Sequence, residues 1–361
     1  MTQKLKQYRV RAGLTQAALA KLVGVTQPTY QRWEAGSATV PDDKLATLAK
    51  VLETSPDALL ARHAPIEVDP VGFGGDPTLS HYGEVAVHFH GGGKPLLLSI
   101  SDDAFSRLHR DLQHSAVFVT VQSLTNETVA IRKAAIADLT FSSEAYDYFG
   151  LKGEDYPRFT DERIADPRDW EIIAALALDE DALKEYEERD VERVCAMVSA
   201  SETYLEAQIA EGRFPAEDIE ACRAQAKERS KHLLSKAIDT IWQLSSGSLR
   251  KARDVDPEDL YGAFYPLFEF GEDVPDDEML RLEAEGAHRI YFINPATLDF
   301  VSMPTHAYQE GEATSAAEAL DAYAEADDVP TQSVENGDDP KPKKRAATKQ
   351  NPARRRVRRR S

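Results

Sequence analysis

The sequence predicts a multidomain chain: an all-α amino-terminal unit, an α+β body containing a helical hairpin, and a disordered carboxy-terminal tail. Three observations carry this reading. Short helical stretches over residues 4–60 are punctuated by Gly13, Gly24, Gly36 and Pro41. Apolar alternation follows, then yields to a helical period, and residues 310–361 carry charge of both signs without apolar periodicity. With 361 residues, 42% hydrophobic and 29% charged, the chain is too long for one average domain and too apolar for wholesale disorder.

Two cysteines, Cys195 and Cys222, can build neither a disulfide framework nor a four-thiolate zinc site. The first residues lack the apolar core of a signal peptide, and no apolar run approaches the roughly 18 residues of a membrane span. A cytoplasmic protein without a membrane partner is expected. The net charge of −19 is unevenly placed: residues 1–62 are net basic, residues 341–361 hold eleven basic residues and no acid, and the middle is strongly acidic. Two basic ends around an acidic middle point to ends that face an anion.

Residues 1–62 form the first unit, and 63–83, rich in Gly, Pro and Asp, read as a linker. Residues 84–150 read as a small antiparallel sheet with one helix. Its strands are Val85–Phe89, Leu97–Ile100, Val117–Val121, Val129–Ile131 and Ile136–Phe141; the helix is near Asp102–Gln113, with a tight connection at Thr125-Asn126-Glu127. Residues 165–308 read as a helical hairpin plus a β-hairpin. One helical stripe is Val191, Val194, Val198, Leu205 and Ile209; the other is Ile219, Cys222, Ala226, Leu233, Ala237 and Ile241, with Pro215 between them. This region, Arg168 to Trp242, is the candidate dimer surface. Arg289–Ile293 and Leu298–Met303 flank Asn294-Pro295-Ala296-Thr297 as the β-hairpin. A faint similarity links Val121–Asn126 to Trp242–Gly247. Residues 309–361 read as the disordered tail, acidic and then basic.

Leu14 to Gly36 carries the motif. Thr15 caps a helix whose Leu19 and Leu22 face inward, Gly24 permits a sharp turn, and Thr26 caps a second helix, 26–35, that tolerates Pro28 in its first turn. On that helix Tyr30 and Trp33 lie three apart and face the core, while Gln27, Gln31 and Arg32 project outward. Small Ala20 allows the helices to approach closely.

These residues closely resemble the lambda-repressor/Cro type of helix-turn-helix, the xenobiotic-response-element family, over about Leu5 to Leu60. Thr-Gln, Leu-Ala, Gly-Val-Thr and Trp-Glu-x-Gly fall at the family's spacing. The resemblance implies a five-helix domain that binds double-stranded DNA with its second motif helix in the major groove. Carried over by position, it implies Gln27 and Arg32 as base readers, with Thr26 and Gln31 on the same DNA-facing surface. It implies Gln16 as a phosphate anchor, Thr29 as a backbone contact, and Arg9 and Glu34 as a structural ion pair. Gln pairs bidentately with adenine and Arg with guanine. Pro28 stands where relatives often carry a polar reader, and the loop Ser37-Ala38-Thr39-Val40 has no basic residue, which predicts weak anchorage by the isolated domain.

In the tail, Lys343, Lys344, Arg345, Arg354, Arg355, Arg356, Arg358, Arg359 and Arg360 lack interleaved aromatics, so they are expected to hold phosphates without sequence preference. The acids before them could occupy that block as a DNA mimic. Other constellations are weaker. His88 and His90 lack a third ligand at a metal-binding spacing, and His90-Gly91-Gly92-Gly93 lacks the Gly-x-Ser-x-Gly that an esterase would need. Gly91-Gly92-Gly93-Lys94 leads into Pro95 and a strand instead of the helix of a phosphate loop, so a glycine-rich hairpin turn explains all three. No catalytic, cofactor or metal site is expected. The functional expectation is a sequence-specific, nucleoid-associated transcriptional regulator, repressor-like and homodimeric, whose body senses a small-molecule effector or a protein partner. Three other readings stay open: an antitoxin or phage-type regulator whose body holds a partner protein, a sequence-blind nucleic-acid binder of nucleoid or RNA type acting through the tail, and, ranked last, an enzymatic body in which His88 and His90 would have to matter.

Overall fold

A computed structural model of the chain describes residues 4–69, 75–143, 163–199, 219–269, 278–284 and 288–327. The amino-terminal unit contains α1 (Leu5–Arg11), α2 (Gln16–Val23), α3 (Gln27–Glu34), α4 (Asp42–Val51) and α5 (Pro56–Leu59), the five helices expected. Their core gathers Leu5, Leu19, Tyr30, Trp33, Leu45, Leu48 and Leu59. Gly24 takes the left-handed conformation (φ 73°) that ends α2 and lets the chain turn into α3. Leu22 departs from expectation: it is 57% exposed, because α2 has only two turns and its inward stripe is filled by Leu19, Ala20 and Val23.

The body contains β1 (His81–Phe89), β2 (Leu96–Ser101), α6 (Asp102–Asp111), β3 (Phe118–Gln122), β4 (Glu127–Arg132) and β5 (Ile136–Ser142). These are followed by α7 (Pro167–Leu178), α8 (Glu188–Val198), α9 (Ile219–Ile238), β6 (Asp239–Leu244) and β7 (Leu249–Arg253). Last come α10 (Pro257–Glu269), β8 (Leu280–Ala284), β9 (Arg289–Ile293), β10 (Leu298–Pro304) and α11 (Thr305–Asp327). A three-stranded sheet, β2-β1-β5, packs with α6 on one face of a five-stranded sheet ordered β3-β4-β10-β6-β7. The other face of the larger sheet carries Phe118, Trp242, Val301 and Met303, and packs on α10 and the β8-β9 pair.

This order overturns two expectations. Strands from 84–150 and from 165–308 share one sheet, so the expected boundary between those units is no domain boundary. Nor do β9 and β10 form a hairpin: β9 pairs with β8, whereas β10 pairs with β4 and β6. The reason is burial. Every residue of β10 is buried, as suits a central strand covered on both faces, and the short 3₁₀ turn Pro295–Thr297 redirects the chain. The faintly similar segments at Val121 and Trp242 lead into the turns of two hairpins, β3-β4 and β6-β7, that flank β10 on opposite sides. Asn126 takes φ 64° in the first of these turns, the conformation a tight connection demands.

The helical hairpin is also different. Helices α7, α8 and α9 bury Trp170, Ile172, Ile173, Val194, Val198, Leu233 and Ala237 against one another, so residues expected at a dimer surface are used inside the chain. Helix α9 ends at Ile238, and Ile241 lies in β6. Leu205, Ile209 and Pro215 lie outside the described residues.

The expected linker is docked where it is described. Asp69 bridges Ser80, Ile66 N–H donates to Asp166 at 3.2 Å, and Arg168 donates to the carbonyls of Ala61 (2.7 Å) and His63 (3.1 Å). The expected tail boundary fails as well, because residues 305–327 are helical. Alanine and glutamate favour a helix here on propensity, while its large apolar residues, Tyr308, Leu320 and Tyr323, are too few to mark a period. Helix α11 lies between the body and the amino-terminal unit, against α10 on one side and α1 on the other. Gly311 makes the first contact possible, since a Cβ there would collide with the Pro257 carbonyl.

Candidate nucleic-acid interface

The interface begins with how α2 and α3 are held. The Thr15 hydroxyl accepts from Ala18 N–H at 3.0 Å and caps α2. Thr26 sits at the cap of α3, but its hydroxyl bonds the Thr29 hydroxyl at 2.9 Å in place of a backbone amide. Pro28 removes one amide from the first turn of α3, which lessens the need for a cap. Tyr30 (0% exposed) and Trp33 (5%) anchor the helix in the core, as their spacing predicts.

Beneath them, Arg9 on α1 makes a two-pronged ion pair with Glu34 (Nε to Oε2 2.9 Å, Nη2 to Oε1 2.8 Å) and donates to the Leu14 carbonyl at 2.9 Å. This is the structural pair that the resemblance implies. Burial works against the Arg9 charge, but Glu34's hydrogen bonds and charge outweigh it, so the guanidinium sits above its ordinary pKa. Burial and then Glu34's negative charge push the Tyr30 phenol up, which keeps it protonated.

Outside this core, Thr26, Gln27, Gln31 and Arg32 are exposed and Thr29 is half-buried. Gln27 and Gln31 stand one turn apart, as do Pro28 and Arg32, so the readers form two adjacent columns on one face. Arg32 donates from Nε to the Pro28 carbonyl at 3.3 Å, which lays the guanidinium along the helix. Gln16 is half-buried at the amino end of α2 and is not free: its backbone N–H donates to Asp321 Oδ1 of α11 at 2.9 Å. The tail residues from Lys343 to Arg360 lie outside the described residues.

Three features escaped the sequence reading. The first is this α11 contact. Glu310, Thr314, Ala317 and Asp321 fall at i, i+4, i+7 and i+11, one helical stripe facing α1 and α2. Lys6 donates to Thr314 at 3.0 Å and approaches Glu310 at 3.5 Å; Gln7 donates to Glu310 at 3.3 Å; Arg9 lies 3.4 Å from Asp321. The second is a buried charge cluster at the start of α7. Arg168 pairs with Asp166 (3.0 Å) and Asp190 (3.2 Å), and Arg193 makes a two-pronged pair with Asp169 (2.7 and 2.6 Å).

The third is a cavity of about 380 Å³ at the junction of α1, α7, β6 and the first turns of α10 and α11. Charged groups on its wall pair with one another, Lys4 with Glu171 and Lys6 with Glu310. Burial, and then the Lys4 charge, push the His306 imidazole down to about 3, so it is neutral. The Asn126 carboxamide NH₂ donates to Lys236 O, which turns Asn126 Oδ1 toward His306 Nδ1 (3.1 Å) and assigns that nitrogen as the donor. Thr240, 1% exposed, lines the same cavity, and its hydroxyl has no hydrogen-bond partner among the described residues. Thr240→Val is therefore expected to raise stability by up to about 1 kcal/mol, read as a higher Tm, because it deletes an unsatisfied buried group of similar shape. A lower Tm would mean that the hydroxyl bonds something held in the cavity.

Of the weaker constellations, His88 pairs through Nδ1 with Asp138 at 2.7 Å, and Gly91–Gly93 form the turn between antiparallel β1 and β2. Among the described residues, no three His, Cys, Asp or Glu side chains are grouped to hold a metal, and no helix is long and apolar enough to cross a membrane.

The Helix-turn-helix family model matches residues 5–59, the span of α1 to α5. Comparison with characterised proteins and with solved structures returned no match. The amino-terminal unit is thus a DNA-binding helix-turn-helix of the xenobiotic-response-element, lambda-repressor-like kind, carried on an α+β body.

Proposed function

We propose that this chain is a sequence-specific transcriptional regulator, of repressor type, that reads the major groove with α3. The observation that carries the reading is the exposed polar face of α3, Gln27, Gln31 and Arg32, fixed from behind by Tyr30, Trp33 and the Arg9–Glu34 pair. Gln27 and Gln31 suit adenine edges and Arg32 a guanine edge. The basic residues after Pro340 add phosphate contacts without sequence preference. A homodimer on a palindromic site follows from the way such domains pair with DNA symmetry. The cavity beside α1 and α11 gives a small-molecule effector a place from which both helices are within reach.

The test is in vitro selection of duplexes on the full chain, followed by binding titrations of the recovered site. Arg32→Ala is expected to weaken that site by about 1–3 kcal/mol and relax preference at one base position, with little effect on a mixed-sequence duplex. Failure to enrich any sequence, together with binding indifferent to Arg32, would overturn the reading in favour of a charge-driven nucleic-acid binder.

A further inference from the structure

We infer that Asp321 occupies the position of a DNA phosphate at the amino end of α2, so that the acidic helix α11 and a duplex compete for one site. This rests on the DNA-binding reading above and names how that same site is regulated.

The chemistry of the position is specific. The first amides of a helix have no partner within it, and with the helix dipole they make a site for an anion. Thr15 satisfies one of them, Ala18 N–H, and leaves Gln16 N–H pointing outward. The group that meets it is a carboxylate, Asp321 Oδ1 at 2.9 Å, supplied by a helix more than three hundred residues further along the chain. The second oxygen, Oδ2, lies 3.4 Å from the Arg9 guanidinium. An amide donor plus a nearby guanidinium around one anionic group is the arrangement that would hold a backbone phosphate. In a helix-turn-helix complex the first motif helix lies against the sugar-phosphate backbone while the second enters the groove. A duplex seated on α3 with its backbone at the end of α2 therefore needs the place that Asp321 holds.

The rest of the contact fits a displaceable cover. Its hydrogen-bonding stripe of Glu310, Thr314 and Asp321 meets Lys6, Gln7, Arg9 and Gln16. The Asp321 side chain is 30% exposed, so water and ions reach it. The base-reading residues Gln27, Gln31 and Arg32 remain uncovered. The face that reads sequence is open while the backbone anchor is filled. In sequence, the basic block that starts at Lys341 follows fourteen residues after α11 ends at Asp327.

The experiment compares the full-length chain with Asp321→Asn and Glu310→Gln, each checked for folding by thermal unfolding, on the duplex recovered by selection and on a mixed-sequence duplex of equal length. Asp321→Asn is expected to bind the selected duplex about five- to twentyfold more tightly, with Asp321→Glu returning toward the parent value. Glu310→Gln, at the other end of the stripe, is expected to tighten binding by a smaller factor and keeps the test decisive should Asp321→Asn fail to fold. In the free protein the Gln16 amide should exchange with solvent more slowly than in Asp321→Asn. Equal affinities across these chains, with Arg32→Ala still weakening the selected site, would overturn the competition and leave the DNA reading intact. If no chain prefers a sequence and Arg32→Ala changes nothing, the DNA reading falls and the competition with it.

Discussion

Arg9→Ala is expected to destabilise the helix-turn-helix unit by about 3–5 kcal/mol, because it strands the Glu34 carboxylate, 4% exposed, without a partner. A unit the size of residues 5–59 has a total stability of roughly 3–8 kcal/mol, so the loss is comparable with the whole. The substitution also withdraws the donor to the Leu14 carbonyl and the cation beside Asp321. The three tryptophans fall one to each of three cores: Trp33 in the helix-turn-helix, Trp170 in the α7-α8-α9 cluster and Trp242 under the large sheet. In variants that keep only one tryptophan, Arg9→Ala should shift the urea midpoint reported by Trp33 strongly and that reported by Trp242 little. The double variant Arg9→Met with Glu34→Leu separates charge from packing. It is expected to recover most of the loss, since replacing both members of a buried pair by apolar residues is often neutral or better. If the double variant is as unstable as Arg9→Ala, the cost lies in packing and the electrostatic account is wrong.

The helix-turn-helix was legible because its determinants are local. Thr15 as a cap, Gly24 in the left-handed turn and the Tyr30/Trp33 spacing all act within a few residues, and each stands where the sequence places it. Leu22 shows the limit of pattern reading: over two turns of helix, a single apolar residue on the wrong side is indistinguishable from a core residue until the partners are known. Most strands of the body, β1 to β5, β9 and β10, were legible one by one, but β6 was read as the end of a helix, β7 and β8 were not recognised, and the order of the strands was not legible. Val301 of β10 pairs with Ala130 of β4, about 170 residues back, and with Trp242 of β6, about 60 residues back, and the only sign of it in sequence is that β10 carries large apolar residues on both faces.

Helix α11 was missed for a different reason. Its first turn docks on the body through Tyr308, packed against Tyr261 and Phe268, and His306; beyond that turn its contacts are made by Ala, Gly, Thr and carboxylates, so the apolar period that reveals most helices is weak, while the composition favours a helix on propensity alone. Of the expected DNA-contacting residues, the structure leaves Gln27, Gln31 and Arg32 open and finds Gln16 engaged. Sequence spacing could identify Gln16 as the end of a helix. It could not show that an acid from the far end of the chain returns to it.

Arg168→Ala is expected to cost about 3–5 kcal/mol as well, but at the junction between units. Arg168 is 2% exposed, reaches Asp166 and Asp190 together, and donates to the carbonyls of Ala61 and His63, the residues that leave α5 for the body. Its removal buries two carboxylates without their main counter-charge and leaves two carbonyls unpaired. Arg193 compensates little, since it is committed to Asp169 and only approaches Asp190 at 3.5 Å. Arg168→Lys keeps the charge but cannot span both acids and both carbonyls, so it should recover only part of the loss. The readout is spatial: the Trp170 transition should move strongly, and limited proteolysis should open residues 61–66 under native conditions. If the junction also holds α1 against α11, the same variant should loosen the contact between Gln16 and Asp321. It should then bind the selected duplex more tightly even as it unfolds more easily. Lower stability with unchanged DNA affinity would mean that α11 holds the helix-turn-helix by its own contacts, independently of the Arg168 clamp.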